Sequence, residues 1–291
     1  MKKKDSITLI FGAYYSHRHV YRICKKIDKK FKIIIIENSL DQKLKKNIEK
    51  KYNNVEIIIP EKNLGLAKSY NIGIKNSKTK YVYLNCPDMD ISNKSLNELI
   101  ECAKKLKKFG ILAPNYENMS IFNNYVGKNF TPKTEPAKIK KFKLKEVKFI
   151  DNSFFIETKK AKKYLFDENY FLYFETMDFC LRLANNNEKL YVSDKIRFKH
   201  YGSQSVEKKY AYLSKLTRAW HYNWSKFYFL KKNNNYFFAL KKIKTNIISA
   251  LRKFIINFVK LKFSECYLNL IELFGIISSL FLLNSFYRPR K

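Results

Sequence analysis

Short, almost unbroken apolar runs alternate with longer amphipathic stretches through the first 114 residues. ITLIFGA (7–13), KIIIIEN (32–38), VEIIIP (55–60), KYVYLNC (80–86) and GILAP (110–114) read as strands, because branched and aromatic side chains fill them. Between them the spacing predicts helices around 20–30 and over 40–52, 66–77 and 95–109, the last capped by Asn93 or Ser95. Strands that are apolar at successive positions have no polar face to give to water. They belong in a mostly parallel sheet with helices on both faces. Residues 115–146 are polar and read as an excursion. VKFIDNSFFIE (147–157) returns to strand, and DENYFLYFETMDFCLRLANNN (167–187) reads as a turn into a helix stopped at residues 186–187, where Asn takes a left-handed cap. KLYVSDKIRFKHYG (189–202) reads as a last strand pair. Beyond about residue 206 the strand pattern gives way to aromatic, aliphatic and lysine residues. The chain thus divides into an α/β domain over 1–206 and a helical, basic and aromatic extension over 207–291.

Composition excludes disorder, since 46% of residues are hydrophobic and 16% aromatic. The net charge of +34 is extreme, yet only eight of the 59 basic residues are Arg. Abundant Lys, Asn and Ile with scarce Gly and Pro fit compositional drift and solvated lysine faces; an anionic partner is the functional alternative. The five cysteines are scattered without a CxxC pair, which argues against zinc and a disulfide framework and for a reducing compartment. The N-terminal lysines and apolar run imitate a signal peptide. The run is only seven residues long and lacks a cleavage site, so it is read as a first strand of a cytoplasmic protein.

In a parallel sheet, ligands bind beyond the carboxyl ends of the strands. Those ends carry Tyr14 and Tyr15, Glu37 and Asn38, Glu61 to Asn63, and Asp88 and Asp90. Glu37 can accept hydrogen bonds from a nucleobase or a ribose. Gly65 opens a helix whose N-terminus favours anions. Asp88 and Asp90 can share one hard cation with a diphosphate, and His200 can join them. Glu175 and Asp178 offer a carboxylate for base work. Each feature has a plain alternative: a turn for the DxD, and an ion-paired helix face for Glu175, Asp178 and Arg182. Their joint order is what carries the reading.

That order resembles family 2 glycosyltransferases of the GT-A fold, a Rossmann-like arrangement, and within them the rhamnosyltransferase-like group. The matching residues are Glu37-Asn38-Ser39 with Asp41, then Asn63, Gly65, Asn71 and Gly73, then Leu84-Asn85 with Pro87-Asp88-Met89-Asp90. Phe166-Asp167-Glu168 through Arg182 follow, and His200 with Ser203 or Ser205 closes the pattern. The resemblance covers about residues 5–206. It implies an inverting, metal-dependent transfer of a sugar from a nucleotide-diphosphate sugar of UDP or dTDP type to a glycan or lipid-linked hydroxyl. It implies donor binding by Ala13, Tyr14, Glu37, Asn63, Gly65, Lys68, Asn71 and Asp88, and Mn²⁺ or Mg²⁺ held by Asp88, Asp90 and His200. Two departures stand out: Glu37 replaces the usual Asp, and Thr176 replaces the Asp usually assigned as base. Glu175 is then the favoured base, with Asp178 the other candidate and Arg182 positioning helix and acceptor.

The tail adds amphipathic stretches such as IISALRKFIINFVKLKF (247–263), suited to an anionic membrane interface or to packing on the catalytic domain. LFGIISSLFLLNSF (273–286) is more apolar, but Asn269 and Glu272 interrupt a spanning segment, so an in-plane or buried helix is expected. The expected place is the cytoplasm of a bacterium, peripheral on the inner face of the plasma membrane. Nucleic acid is set aside as a partner, because the lysines are dispersed and the strand ends acidic. A noncatalytic GT-A binding protein is the alternative that Thr176 raises.

Overall fold

The computed structural model describes residues 7–117, 124–125, 141–151, 153–201 and 205–289. The chain forms two compact units. The first holds the residues up to Leu64, with Lys68–Phe166 and Thr176–Glu207; the second holds Gly65–Ala67, Asp167–Glu175 and Lys208–Lys291.

The first unit is built on strands β1 (Ile7–Ala13), β2 (Lys32–Glu37), β3 (Val55–Ile58), β4 (Tyr81–Asn85), β5 (Met89–Asp90) and β6 (Ile111–Tyr116). They are followed by β7 (Asn124–Tyr125), β8 (Leu144–Val147), β9 (Phe149–Ile150), β10 (Phe154–Glu157) and β11 (Leu190–His200). The main sheet runs β3-β2-β1-β4-β10-β6-β11-β5, with β8 also on β11, and β7 pairs with β9 separately. β3, β2, β1 and β4 are mutually parallel, as are β6 and β11. β10 enters between β4 and β6 antiparallel to both.

Helices α1 (His17–Lys26), α2 (Gln42–Lys51), α3 (Gly65–Asn76), α4 (Asn93–Leu106), α5 (Thr158–Tyr164) and α6 (Glu175–Ala184) connect the strands. Val20 and Ile23 of α1, Leu44 and Ile48 of α2, and Leu96 and Leu99 of α4 pack with Ile7, Leu9, Phe11, Ile33 and Ile35 in one core. Side chains alternate along a strand, so Ile10 and Phe154 face the other way. There Gly73 of α3 meets Ile10, and Phe154, Phe166 and Phe179 form a stack. Both faces are therefore covered, as the GT-A expectation requires.

Several boundaries differ from expectation. α1 starts earlier and ends earlier, because Ser16 opens it and Ile27 returns to extended backbone. The cap of α4 is Ser92, whose side chain accepts from the Ser95 N–H. Residues 115–146 are not all excursion, since β6 runs to Tyr116 and β8 begins at Leu144; 118–123 and 126–140 lie outside the described residues. The expected strand pair at 189–202 is one strand whose register shifts between Ser193 and Arg197. The C-terminal stop of α6 holds, with Asn187 left-handed at φ 59°.

In the second unit, a short 3₁₀ turn at Lys208–Tyr210 leads to α7 (Ala211–Asn233), α8 (Tyr236–Val259) and α9 (Phe263–Leu280), which pack on one another. Its interior is ring-rich. Trp220, Trp224 and Tyr228 stack along α7, and a Cβ added at Gly275 of α9 would collide with the Trp220 carbonyl. α9 meets the length and composition needed to cross a membrane, at a mean hydropathy of 1.2. Asn269 and Glu272 do not interrupt that window as expected: they turn inward to amides of Asn257 and Asn223, at 3.0 Å each.

Candidate active site

β1, β2 and β3 step one way across the sheet, and β4 lies on the opposite side of β1. The carboxyl ends of β1 and β4 therefore flank a topological switch point. Ala13, buried, ends β1, and its carbonyl accepts the Asn38 N–H at 2.8 Å. Tyr14 and Tyr15 follow, half-buried, with ring centroids 4.6 Å apart and Tyr15 at φ 47°. The Tyr15 N–H donates to Ser39 Oγ at 2.5 Å.

Glu37 ends β2 and is fully buried. Its Oε1 accepts the Ser39 N–H at 2.6 Å, while Oε2 is buried with no hydrogen-bond partner. Burial lifts the carboxyl above its usual range; the bonds from Ser39 and the charge of His17 oppose this without cancelling it. A buried acceptor lacking a donor is costly to a folded chain, and Glu37 Oε2 is open to a donor from water or a ligand. Asn38 is a structural residue, giving Nδ2 to Ser69 Oγ at 2.9 Å and accepting the Leu64 N–H on Oδ1 at 2.9 Å. Asn71 is likewise spent on backbone, donating to the Phe166 carbonyl at 2.9 Å and accepting the Phe166 N–H at 2.8 Å. Asn63 and Lys68 are half-buried on either side of the α3 start.

Asp88 is buried in the turn between β4 and β5, with Oδ2 3.4 Å from His200 Nε2. The fold makes that meeting: Met89 and Asp90 pair antiparallel with His200 and Lys199, and the Tyr201 N–H donates to the Asp88 carbonyl at 3.0 Å. Burial acts to raise the Asp88 carboxyl. His200, the residue's own N–H and His19 outweigh it and hold the carboxyl below its usual range. Asp90 is engaged otherwise, at 2.8 Å from Lys26 Nζ and 3.3 Å from the Tyr201 hydroxyl. No cluster of three or more metal-capable His, Cys, Asp or Glu side chains occurs among the described residues. Asp88 and His200 nonetheless fit Mn²⁺ or Mg²⁺ as two ligands of an ion that takes the rest from a diphosphate. Asp90 would join only by leaving Lys26.

On α6, Asp178 Oδ2 is 2.8 Å from Arg182 Nε. The other guanidinium nitrogens of Arg182 donate to the Tyr164 and Leu165 carbonyls, at 2.6 and 2.5 Å. Asp178 and Arg182 thus form a clamp on the chain after α5. Thr176 is buried beside them in sequence. Ser205 accepts on its carbonyl from Ser16 Oγ at 2.5 Å, and Ser203 lies outside the described residues.

Within the second unit, the segment ending in Glu175 is held residue by residue. Asp167 receives Lys232 Nζ at 2.7 Å and the Tyr228 hydroxyl at 3.0 Å. Phe171 stacks on His221, with ring centroids 4.3 Å apart, and the Arg288 guanidinium carbon is 3.5 Å from the Phe171 ring centroid. Its carbonyl accepts the Leu66 N–H at 2.7 Å, where Gly65 takes φ 75° and a Cβ would strike Phe171. The Leu172 carbonyl accepts from Ser225 Oγ at 2.8 Å. Tyr173 and Phe174 both adopt left-handed backbone, at φ 70° and 63°, immediately before buried Glu175. Two consecutive bulky residues in that region mark stored strain of the kind found at functional sites.

Sequence reasoning missed these anchors, because His221, Ser225 and Arg288 lie 46 or more residues beyond Glu175 with no local pattern to announce them. It also missed His17, whose Nε2 is 3.2 Å from Asp41 Oδ2, and Arg22, which donates to the Pro87 carbonyl at 2.8 Å. Arg22 and Lys26, four residues apart on one face of α1, were the available signal.

Residues 17–169 match the model of the family described as glycosyl transferase family 2. The chain belongs to that family, and its fold is the GT-A type. No curated protein matches it. Among solved structures it is similar to GalNAc-T7, crystallised with UDP, GalNAc and Mn²⁺, at a TM-score of 0.53 and 14% identity over 86% of this chain. It is also similar to TarS of S. aureus, at a TM-score of 0.51 and 18% identity over 78% of this chain. The chain spans 58% and 43% of the lengths of those two proteins.

Proposed function

We propose that the protein is an inverting glycosyltransferase that moves a sugar from a UDP- or dTDP-type donor to a hydroxyl of a glycan or lipid-linked acceptor. The observation that carries the reading is the buried Glu37 carboxylate, one oxygen unpartnered, at the carboxyl edge of a parallel sheet in this family. Glu37 would accept a hydrogen bond from the nucleobase or ribose. Asp88 and His200 would hold a divalent ion, which when bound supplies positive charge for the departing diphosphate. GalNAc-T7, crystallised with UDP and Mn²⁺, supports that pairing by likeness of fold. Glu175 takes the proton of the acceptor hydroxyl. The freed oxygen attacks the sugar C1 from the side opposite the diphosphate, whose bond to C1 breaks and whose oxygen keeps the electron pair. Glu175 is preferred over Asp178 because Asp178 is committed to Arg182.

Two measurements test this. A thermal-shift panel of UDP, dTDP, GDP and CMP sugars, with and without Mn²⁺, should show a metal-dependent rise for a UDP or dTDP sugar. Glu175→Gln should then lower kcat by about 10²–10⁴-fold while leaving that rise in place. Asp178→Asn should chiefly lower the melting temperature. Loss of less than about tenfold in both variants would place the base elsewhere.

A further inference from the structure

The α8–α9 hairpin carries apolar surface that nothing in the described chain covers. Phe263, Tyr267, Phe274, Ile277 and the C-cap Phe281 are all exposed and fall on one face of α9, three, four or seven residues apart. That spacing makes one stripe running the length of the helix, about 27 Å at the α-helical rise. Ile248, Leu251, Ile255 and Phe258 repeat the pattern on α8, opposite the buried Ala239, Ile243 and Ala250.

The two helix ends carry an independent observation. After α8, the Lys262 N–H donates to the Asn257 carbonyl and the Leu261 N–H to the Phe258 carbonyl, both at 2.9 Å. After α9, Leu283 donates to Ser278 at 2.9 Å and Leu282 to Ser279 at 3.1 Å. Both are Schellman closures, whose left-handed position normally holds glycine. Here that position holds leucine twice, Leu261 at φ 54° and Leu282 at φ 57°. A leucine there strains the backbone. The side chains are 70% and 56% exposed, so folding returns little burial for that strain. Their use lies outside the monomer.

Charge selects the occupant. Residues 208–264 contain 14 Lys and Arg and no acidic residue. Lys260 and Lys262 flank Leu261 directly, and Lys244 and Arg252 lie along α8. Apolar side chains interleaved with cations match an anionic lipid interface, where tails receive the former and headgroups the latter. A second copy of this face would oppose like charges, and nucleic acid would leave the apolar stripes in water. The closed helix ends also leave little unpaired backbone to enter the interface.

We propose that the α8–α9 hairpin docks in the plane of an anionic phospholipid membrane through these stripes and its two leucine-capped ends. The proposal goes beyond the transferase reading and is measured without any sugar. The full chain should float with phosphatidylglycerol–phosphatidylcholine vesicles and stay behind with phosphatidylcholine alone. Lys260→Ala with Lys262→Ala should weaken binding about thirtyfold, the effect of two lysines at an anionic surface. Leu261→Gly with Leu282→Gly should raise the melting temperature yet weaken vesicle binding. A structural role alone would not move those two readouts in opposite directions. Equal binding to neutral vesicles would overturn the proposal. So would a concentration-dependent dimer without flotation, or retention through a carbonate wash, which marks a spanning helix.

Discussion

The α/β unit and the helical unit bury their interiors with different residues. The first packs branched aliphatic strands, with Ile33, Ile34, Ile35 and Ile36 all buried in succession, and leaves its polar residues at the strand ends. The second packs rings and places polar groups inside: His221, Asn223, Ser225 and Asn269 are buried and bonded to neighbouring segments. Aliphatic packing is tolerant of exchange at constant volume, whereas a bonded polar interior is specific and fails when one partner is lost. The difference teaches where precision is needed. The helical unit grips the segment that ends in Glu175.

Gly65→Ala should break the comparison most sharply. The added Cβ meets Phe171 within the second unit, and displacement of catalytic geometry by about 1 Å costs about a hundredfold in rate. Initial rates, with Mn²⁺-dependent thermal shift as a control for the first unit, would check this. An unchanged rate would mean the segment tolerates movement.

Acid should separate the units next. Burial, with the charge of Arg288, pushes the His221 imidazole down to about 3, against a weaker opposing bond to the Tyr287 carbonyl. The unfolded chain therefore binds a proton that the folded one refuses, and stability falls as pH drops below about 6.5, by about 1.4 kcal/mol per pH unit. Asp88 behaves otherwise. Its depressed carboxyl contributes stability above the unfolded value, about 3.9, and loses it only as pH falls through the folded one. Chemical denaturation between pH 7 and 5 should show the loss, and His221→Phe should flatten it.

The smallest effect is expected from Ser225→Ala. It removes the donor to the Leu172 carbonyl, a part-buried bond, and should lower stability by about 0.5–1.5 kcal/mol, read from urea midpoints. A variant of equal stability would show that water replaces the hydroxyl.

The α/β unit was largely legible because period and strand-end chemistry are local properties. KIIIIEN can be little but a covered strand, and Glu37, Asp88 and His200 stand where a parallel sheet presents its ligands. What local pattern does not carry is direction or distance. FFIE reads as a strand, yet only tertiary pairing sets β10 antiparallel between β4 and β6. TKKAKKY shows no apolar spacing, so α5, which buries only Thr158 and Ala161, was missed. KLYVSDKIRFKHYG reads as a strand pair, yet β11 is one strand whose register shifts between Ser193 and Arg197, a shift set by its pairing with β6. Asn71 reads as a ligand contact by motif, while its amide binds Phe166. The loop anchors His221, Ser225 and Arg288 left no mark, since each matters only through a partner far away in sequence.

Arg288 over the Phe171 ring bears on the timing of synthesis. A ribosome delivers residues in order, and the strands of the sheet are all made before α7 begins. The Glu175 segment then waits for partners made more than a hundred residues after Phe171, Ser285 and Arg288 among them. A nascent chain can therefore assemble its sheet before the grip on that segment is complete.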